Sequence, residues 1–206
     1  MTAFFTMTRL ALILSFMILT ATPGAWAKMA SWHLDKDHTT IGFWVKHMVV
    51  SKTNGKFLDY SGVVEMDAET QQFKTIQATI QTNSVFTDHK KRDEHLRSPD
   101  FFDANTFPTM TYTMKSYKKN GDNTYTALGD LTIRGITKEI TLNGTFNGVA
   151  QDPWGNTRAG FSGTGTINRQ DFGMKFSKLL DNGGLMVGDN VHITLEVEVI
   201  KDKGKK

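Results

Sequence analysis

The stretch NTYTALGDLTIRGITKEITLNGTFNG, residues 123–148, decides the fold. Tyr125, Ala127, Gly129, Leu131 and Ile133 share one parity. Beyond Arg134-Gly135, Ile136, Ile140, Leu142 and Phe146 share another, opposite Thr137, Glu139, Thr141 and Asn143. Strand side chains alternate across a sheet, so each arm is buried on one face and wet on the other. A connection as short as Arg-Gly joins only antiparallel neighbours.

Working outward, the same period of two recurs along the chain. Ile41, Phe43 and Val45 alternate with Gly42, Trp44 and Lys46. Ile76, Ala78 and Ile80 alternate with polar neighbours, as do Met110, Tyr112 and Met114. Ala159, Phe161 and Ile167 follow, then Val191, Ile193, Leu195, Val197 and Val199. With segments near 31–36 and 56–67, these make about eight to ten strands. Turn signals punctuate them at Asn54-Gly55, Asn120-Gly121-Asp122, Arg134-Gly135, Asp152-Pro153-Trp154-Gly155 and Asn182-Gly183-Gly184.

So many antiparallel strands either stack as a sandwich or close as a barrel, because open edges are sticky. Long strands with internal glycines, at Gly62, Gly129, Gly144, Gly160, Gly163 and Gly165, favour sharp bending and closure. The expectation is an all-β, closed antiparallel barrel of about eight strands, lipocalin-like in plan. One segment interrupts it: residues 88–97 lack alternation and read as a short helix capped by Thr87 or Asp88. Ser98-Pro99-Asp100 resembles a second helical start, and Phe101 and Phe102 then plug the fold.

The ends are read separately from the barrel. Residues 1–27 carry one charge, Arg9, then an apolar run from Leu10 to Leu19 and the triplet Ala25-Trp26-Ala27. That is the pattern of a secretory signal peptide cleaved after Ala27, too short in its apolar part for a membrane span. A single domain then occupies 28–200, and 201–206 is a basic tail. In a Gram-negative source the destination is the periplasm. The chain has no cysteine, which excludes thiolate metal sites, redox pairs and lipoprotein acylation. A net charge of +3 argues against a nucleic-acid partner, as does the lack of interleaved arginines and aromatics.

Function is sought in the barrel interior. Eight strands enclose just enough width to be filled by side chains or to hold one small ligand. Small inward residues at Ala127, Gly129, Ala159, Gly163 and Gly165 leave space, and empty apolar space costs ~24 cal/mol per Å³. A hydrocarbon occupant would offset that cost; aromatic side chains filling the gaps is the alternative. The expected ligand contacts are Phe43, Val45, Ile80, Phe101, Phe102, Met110, Tyr112, Leu131 and Phe161, with His47, Arg92 and His95 at the mouth. Arg92 could fork onto a phosphate or carboxylate, or belong to a helix whose Asp93 anchors a neighbouring arginine. Asp59, Glu65 and Asp67 could pair as acids, but sit on a strand whose charges would face water. His89, Asp93 and His95 lack metal-site spacing, and no nucleophile or phosphate-loop motif appears, so neither a catalytic centre, a metal nor a cofactor is expected.

Several of these stretches also resemble the YceI-like family. They are His38-Thr-Thr-Ile-Gly-Phe-Trp-Val-Lys-His47, Asn54-Gly-Lys-Phe57, Arg92-Asp-Glu-His-Leu-Arg-Ser-Pro-Asp-Phe-Phe-Asp103 and Phe107-Pro108. Gly129-Asp-Leu-Thr-Ile-Arg-Gly-Ile-Thr-Lys138, Asn168-Arg-Gln-Asp-Phe-Gly173 and Val187-Gly-Asp-Asn-Val191 continue the match in order. The resemblance implies a periplasmic lipocalin-like barrel that binds polyisoprenoids or related long-chain lipids, with no catalysis common to the family. It adds Arg169 and Phe172 to the candidate contacts, and two departures: Arg134 where histidine is frequent, and Trp44 where a small polar residue is. Trp44 has outward parity and could serve a homodimer or membrane contact. The apolar segment 174–186 could be a lid or simply pack across a barrel end.

Overall fold

The computed structural model describes residues 28–48, 50–178 and 185–203. The leader expected at 1–27, the Asn182-Gly183-Gly184 turn and the last three residues of the tail lie outside them. The central hairpin forms as its alternation dictates. Strand β8 (Thr124–Ile133) pairs antiparallel with β9 (Ile136–Gln151), closing on Ile133 opposite Ile136. Arg134 and Gly135 both take positive φ, 52° and 71°, the twist that matches flanking strands.

The other strands are β1 (Ala30–Leu34), β2 (Thr40–His47), β3 (Ser51–Phe57), β4 (Tyr60–Asp67), β5 (Gln72–Gln81), β6 (Val85–Phe86), β7 (Thr109–Lys119), β10 (Thr157–Asn168) and β11 (Val187–Lys201). Eight of them close a ring, β1-β4-β5-β7-β8-β9-β10-β11, with β11 returning to β1. Near the start of the chain the strands are broken. β1 and β2 both pair with β11, and the loop between them is tied to β11 by Asp35 N and Thr39 Oγ1, which bond Glu198. Likewise β3 and β4 are separated by Leu58-Asp59, and β5 and β6 by a 3₁₀ turn at Thr82–Ser84. One end of the ring is therefore continued by β2, β3 and β6 rather than by β1, β4 and β5.

Three local expectations are corrected. Asn54-Gly55 is not a turn but lies inside β3, opposite Trp44 and Phe43; the reversal comes earlier, at Met48, which takes φ 51°. The helix α1 (Lys90–Arg97) is capped by His89, whose Nδ1 accepts from Arg92 N at 3.3 Å. Thr87 is unavailable as a cap because its N–H and hydroxyl both bond Asp93 Oδ1, at 2.9 and 2.5 Å, while Asp88 turns the chain at φ 60°. Finally, Ser98-Pro99-Asp100 starts no helix. The amides of Phe102, Asp103 and Ala104 fold back onto the carbonyls of Leu96, Ser98 and Arg97, closing the end of α1.

The interior divides into two stacked clusters. The lower one is solid: Trp32, Val64, Met66, Tyr125, Phe146, Ala159 and Val199 are buried, with Phe73, Tyr117 and Phe161 against them. Phe73 lies edge-on to Tyr117 and Tyr125, each 5.3 Å away, and Phe146 meets Phe161 at 5.3 Å. Just outside this end, Arg158 bridges Asp152, Asp35 and Glu198 and ties the β1–β2 break to β10 and β11. Asp67 does not face water as a surface charge would; it is buried and accepts from the amides of Lys28, Glu69 and Thr70, shaping the β4–β5 turn.

Candidate ligand cavity

Above the solid cluster the barrel is hollow. A cavity of about 610 Å³ runs up from Leu34, Val64, Ile76 and Val197 to the end covered by α1. Its wall is apolar: Ile41, Phe43, Ala78, Ile80, Met110, Leu131, Ile133, Ile140, Leu142, Ile193 and Leu195 from the strands, Leu96, Phe101 and Phe102 from the cover. Exposed Lys46, Lys91, Arg92 and Lys178 reach it at the top, so that end is open to solvent.

The glycines work differently from the sequence expectation. They do not leave bare space. A Cβ at Gly129 would lie 2.5 Å from the Tyr112 ring, and one at Gly165 would lie 2.6 Å from Leu142 Cδ2. Each glycine lets a large neighbour lie flat on the wall instead of projecting across the lumen. Ala159 belongs to the solid cluster and adds no volume.

The expected contacts fall into three groups. Phe43, Val45, His47, Ile80, Arg92, His95, Phe101, Phe102, Met110, Tyr112, Leu131 and Arg169 all line the cavity. Phe161 does not: its ring is spent on Phe73 and Phe146 below the floor. Phe172, on the 3₁₀ turn after β10, is fully buried in the upper cluster but is not one of the side chains that line the lumen. Parity could not set Phe161 apart, because it fixes the face of a strand but not the height along the barrel; Phe172 was a candidate by resemblance alone.

The rim is one-signed. Lys46, Lys91, Arg92, Arg169 and Lys178 line the cavity, and no acidic side chain does among the described residues. Their roles differ. Arg169 is committed to structure, donating to the carbonyls of Gly188, Met174 and Val187 and to Asp189 Oδ1 at 2.8 Å. It clamps the segment after its own 3₁₀ turn, Arg169–Phe172, to the start of β11, and burial pulls its pKa down. Arg92 is held only on one side, by Nε to Thr87 Oγ1 and Nη2 to Thr87 O, both 2.7 Å. Asp93 anchors Thr87 and not an arginine. Arg92 thus presents its remaining N–H groups with no carboxylate partner among the described residues.

The histidines do not form a catalytic set. His95 Nε2 meets Asp100 Oδ2 at 2.8 Å, and its ring stands edge-on to Phe101 and Phe176. His47 ends β2, opposite Ser51 and Val187. Tyr112 contributes a hydroxyl without a hydrogen-bond partner among the described residues, and burial pushes its pKa up to about 12, so it stays neutral. Asp35, His38 and Glu198 approach one another closely enough for an ion, but Arg158 already supplies the positive charge there.

Some lining residues escaped the sequence reading. Lys46 has outward parity, yet lines the opening, close against Gly188, where a Cβ would lie 3.3 Å from its own Cβ. Met174, Phe176 and Met186 come from the segment read as lid or packing; Met174 is buried, and the Phe176 ring is tilted against Phe101 at 5.2 Å. Residues 179–184 of that segment lie outside the described ones. Trp44 is accounted for locally, stacked on His192 at 3.7 Å with Lys52 Nζ over its ring at 3.9 Å. Arg134 staples the cover, donating to the carbonyls of Pro99 and Phe101.

Comparison with known proteins agrees with this geometry. Residues 32–199 match the YceI-like domain. A UPF0312 protein of Pseudomonas fluorescens is 39% identical over 181 residues, 84% of this chain and 88% of that protein. The crystal structure of a Campylobacter jejuni YceI protein superposes with a TM-score of 0.67 at 38% identity, covering 82% of this chain and 97% of that one. A polyisoprenoid binding domain from Saccharophagus degradans shares the fold, with a TM-score of 0.64 at 15% identity over 85% and 100% of the two chains.

Proposed function

The chain belongs to the YceI-like domain family, and from that premise we propose that it is an exported, non-catalytic carrier or scavenger of a long-chain lipid, a polyisoprenoid in particular. The observation that carries the reading is an apolar chamber closed below and cationic at its open end. At ~30 Å³ per non-hydrogen atom, the share of one water in the liquid, about 610 Å³ holds roughly twenty carbons, or four five-carbon units. Burying them gains about 16 kcal/mol at ~0.8 kcal/mol per carbon, before several kcal/mol of ordering and association cost. The tail enters first, and the head group stays at the rim beside Arg92 and Lys91. The polyisoprenoid-binding Saccharophagus relative supports the class of cargo, and the leader pattern in residues 1–27 supports a periplasmic site of action.

Native mass spectrometry of protein purified without detergent tests this. We expect a hydrocarbon adduct, or uptake of geranylgeraniol added to stripped protein. The absence of both adduct and uptake would refute the carrier reading. Replacing Arg92 and Lys91 together by glutamine should weaken a prenyl phosphate about tenfold and leave the uncharged alcohol unchanged, since only charge-assisted contacts are removed.

A further inference from the structure

The hairpin between β2 and β3 is built against the usual economy of such turns. Its reversal needs a left-handed residue, which asparagine or glycine would supply with least strain. The chain instead puts Met48 there, at φ 51°, and leaves its side chain 40% exposed. Val50, two residues on, is 86% exposed, more than the other large apolar side chains exposed among the described residues. This tip stands at the open end of the cavity. His47 lines the lumen, and Met48 N donates to the carbonyl of Met186, another lining residue.

Basic residues surround the tip. Lys46 and Lys52 face each other across the hairpin. Lys91, Arg92 and Lys178 also line the opening, Lys178 through a backbone bond from Met186 N to its carbonyl. None of these five has a carboxylate within 4.0 Å among the described residues. Acids do occur at this end: Asp88, Glu94, Asp100, Asp103, Asp171 and Asp189. None lines the opening; Asp100 is paired with His95 and Asp189 with Arg169. The next most exposed large apolar side chain among the described residues, Trp154 at 78%, lies in the β9–β10 turn beside Asp152, at the closed end.

Apolar side chains at a tip, ringed by cations, match the surface of an anionic bilayer, where headgroups meet lysines and acyl chains meet apolar groups. We infer that the β2–β3 tip docks the open end of the barrel onto an anionic phospholipid membrane, so that a chain passes between bilayer and lumen without crossing water. This rests on the carrier reading for its purpose, though not for its geometry. A folded protein partner would need a larger apolar face than two side chains give.

Flotation of the full protein with vesicles of phosphatidylethanolamine and phosphatidylglycerol, against phosphatidylcholine vesicles, tests the docking. The wild type should float with the anionic vesicles at low salt and be released as salt rises. Val50→Asp and Lys52→Glu should each reduce the bound fraction about tenfold, while Trp154→Ser leaves it unchanged. Neither Val50 nor Lys52 lines the cavity, so both variants should keep their cargo by native mass spectrometry. Wild type that stays soluble with anionic vesicles, or Val50→Asp that floats as well as wild type, would overturn the docking. Absence of cargo in every variant would instead count against the carrier reading, whatever the vesicles show.

Discussion

Replacing Ala78 by phenylalanine separates a hollow barrel from a solid one. Ala78 faces the lumen from β5, with Gly62 on one side and Tyr112 on the other. The change adds a six-carbon ring, about 180 Å³ at ~30 Å³ per atom, less than a third of the 610 Å³ available. In a close-packed interior such an insertion costs ~1–3 kcal/mol through strain. Here the ring enters free space, so the stability measured by urea unfolding should move by less than ~0.5 kcal/mol. Cargo should suffer instead. Six displaced carbons forfeit about 5 kcal/mol of burial at ~0.8 kcal/mol each. A chain that slides toward the open end recovers about half, leaving a loss of ~2 kcal/mol, or about thirtyfold in Kd. Calorimetric titration with farnesol and geranylgeraniol should show the greater loss for the longer alcohol. A destabilisation above ~2 kcal/mol, or an unchanged affinity for both alcohols, would refute the reasoning.

Three further outcomes follow from the same geometry. Phe146→Ala hollows the solid lower cluster and should cost ~3–5 kcal/mol in urea unfolding, with cargo affinity kept within about twofold because Phe146 lies below the floor. Arg169→Met leaves Asp189 and three carbonyls without their donor and should cost ~3 kcal/mol, with faster amide exchange in residues 174–178; unchanged exchange there would contradict its role as a clamp. Burial alone would raise Asp35, but bonds from His38 and Arg158 hold it at about 2, below its usual 3.8. Its stabilising share is therefore complete above pH 3.8 and is lost as pH falls through about 2, so Asp35→Asn should flatten an acid unfolding curve over that window. The partner His38 is raised by Asp35, and its share has the opposite sense, being lost as pH rises beyond its folded value.

The strand pairing was legible because alternation reports the buried face directly. β8 and the facing part of β9 carry it without interruption, and Arg134-Gly135 marks the turn between them. The breaks were not legible. Leu58-Asp59 and the loop after Leu34 carry no strong breaker, and the β2–β3 turn hides behind a left-handed methionine while Asn54-Gly55 signals falsely. For the cavity, parity placed most lining residues on the correct face. It could not tell upper from lower, which is why Phe161 was grouped with Phe43 although it packs in the solid half. Nor could it show that Arg169 spends its donors on backbone carbonyls while Arg92 keeps some for the rim, since both are simply arginines in short motifs. The glycine pattern pointed to a roomy interior for a reason only the coordinates supply: Tyr112 and Leu142 lie back into the places left by Gly129 and Gly165.

A crystallographic map of the barrel interior, from protein purified in its native host without added lipid, tests the central claim most directly. The account predicts continuous tubular density rising from above Val64 and Ile76 to the rim at Lys91 and Arg92. Side chains closing together across that space, with no chamber between the floor and α1, would contradict it.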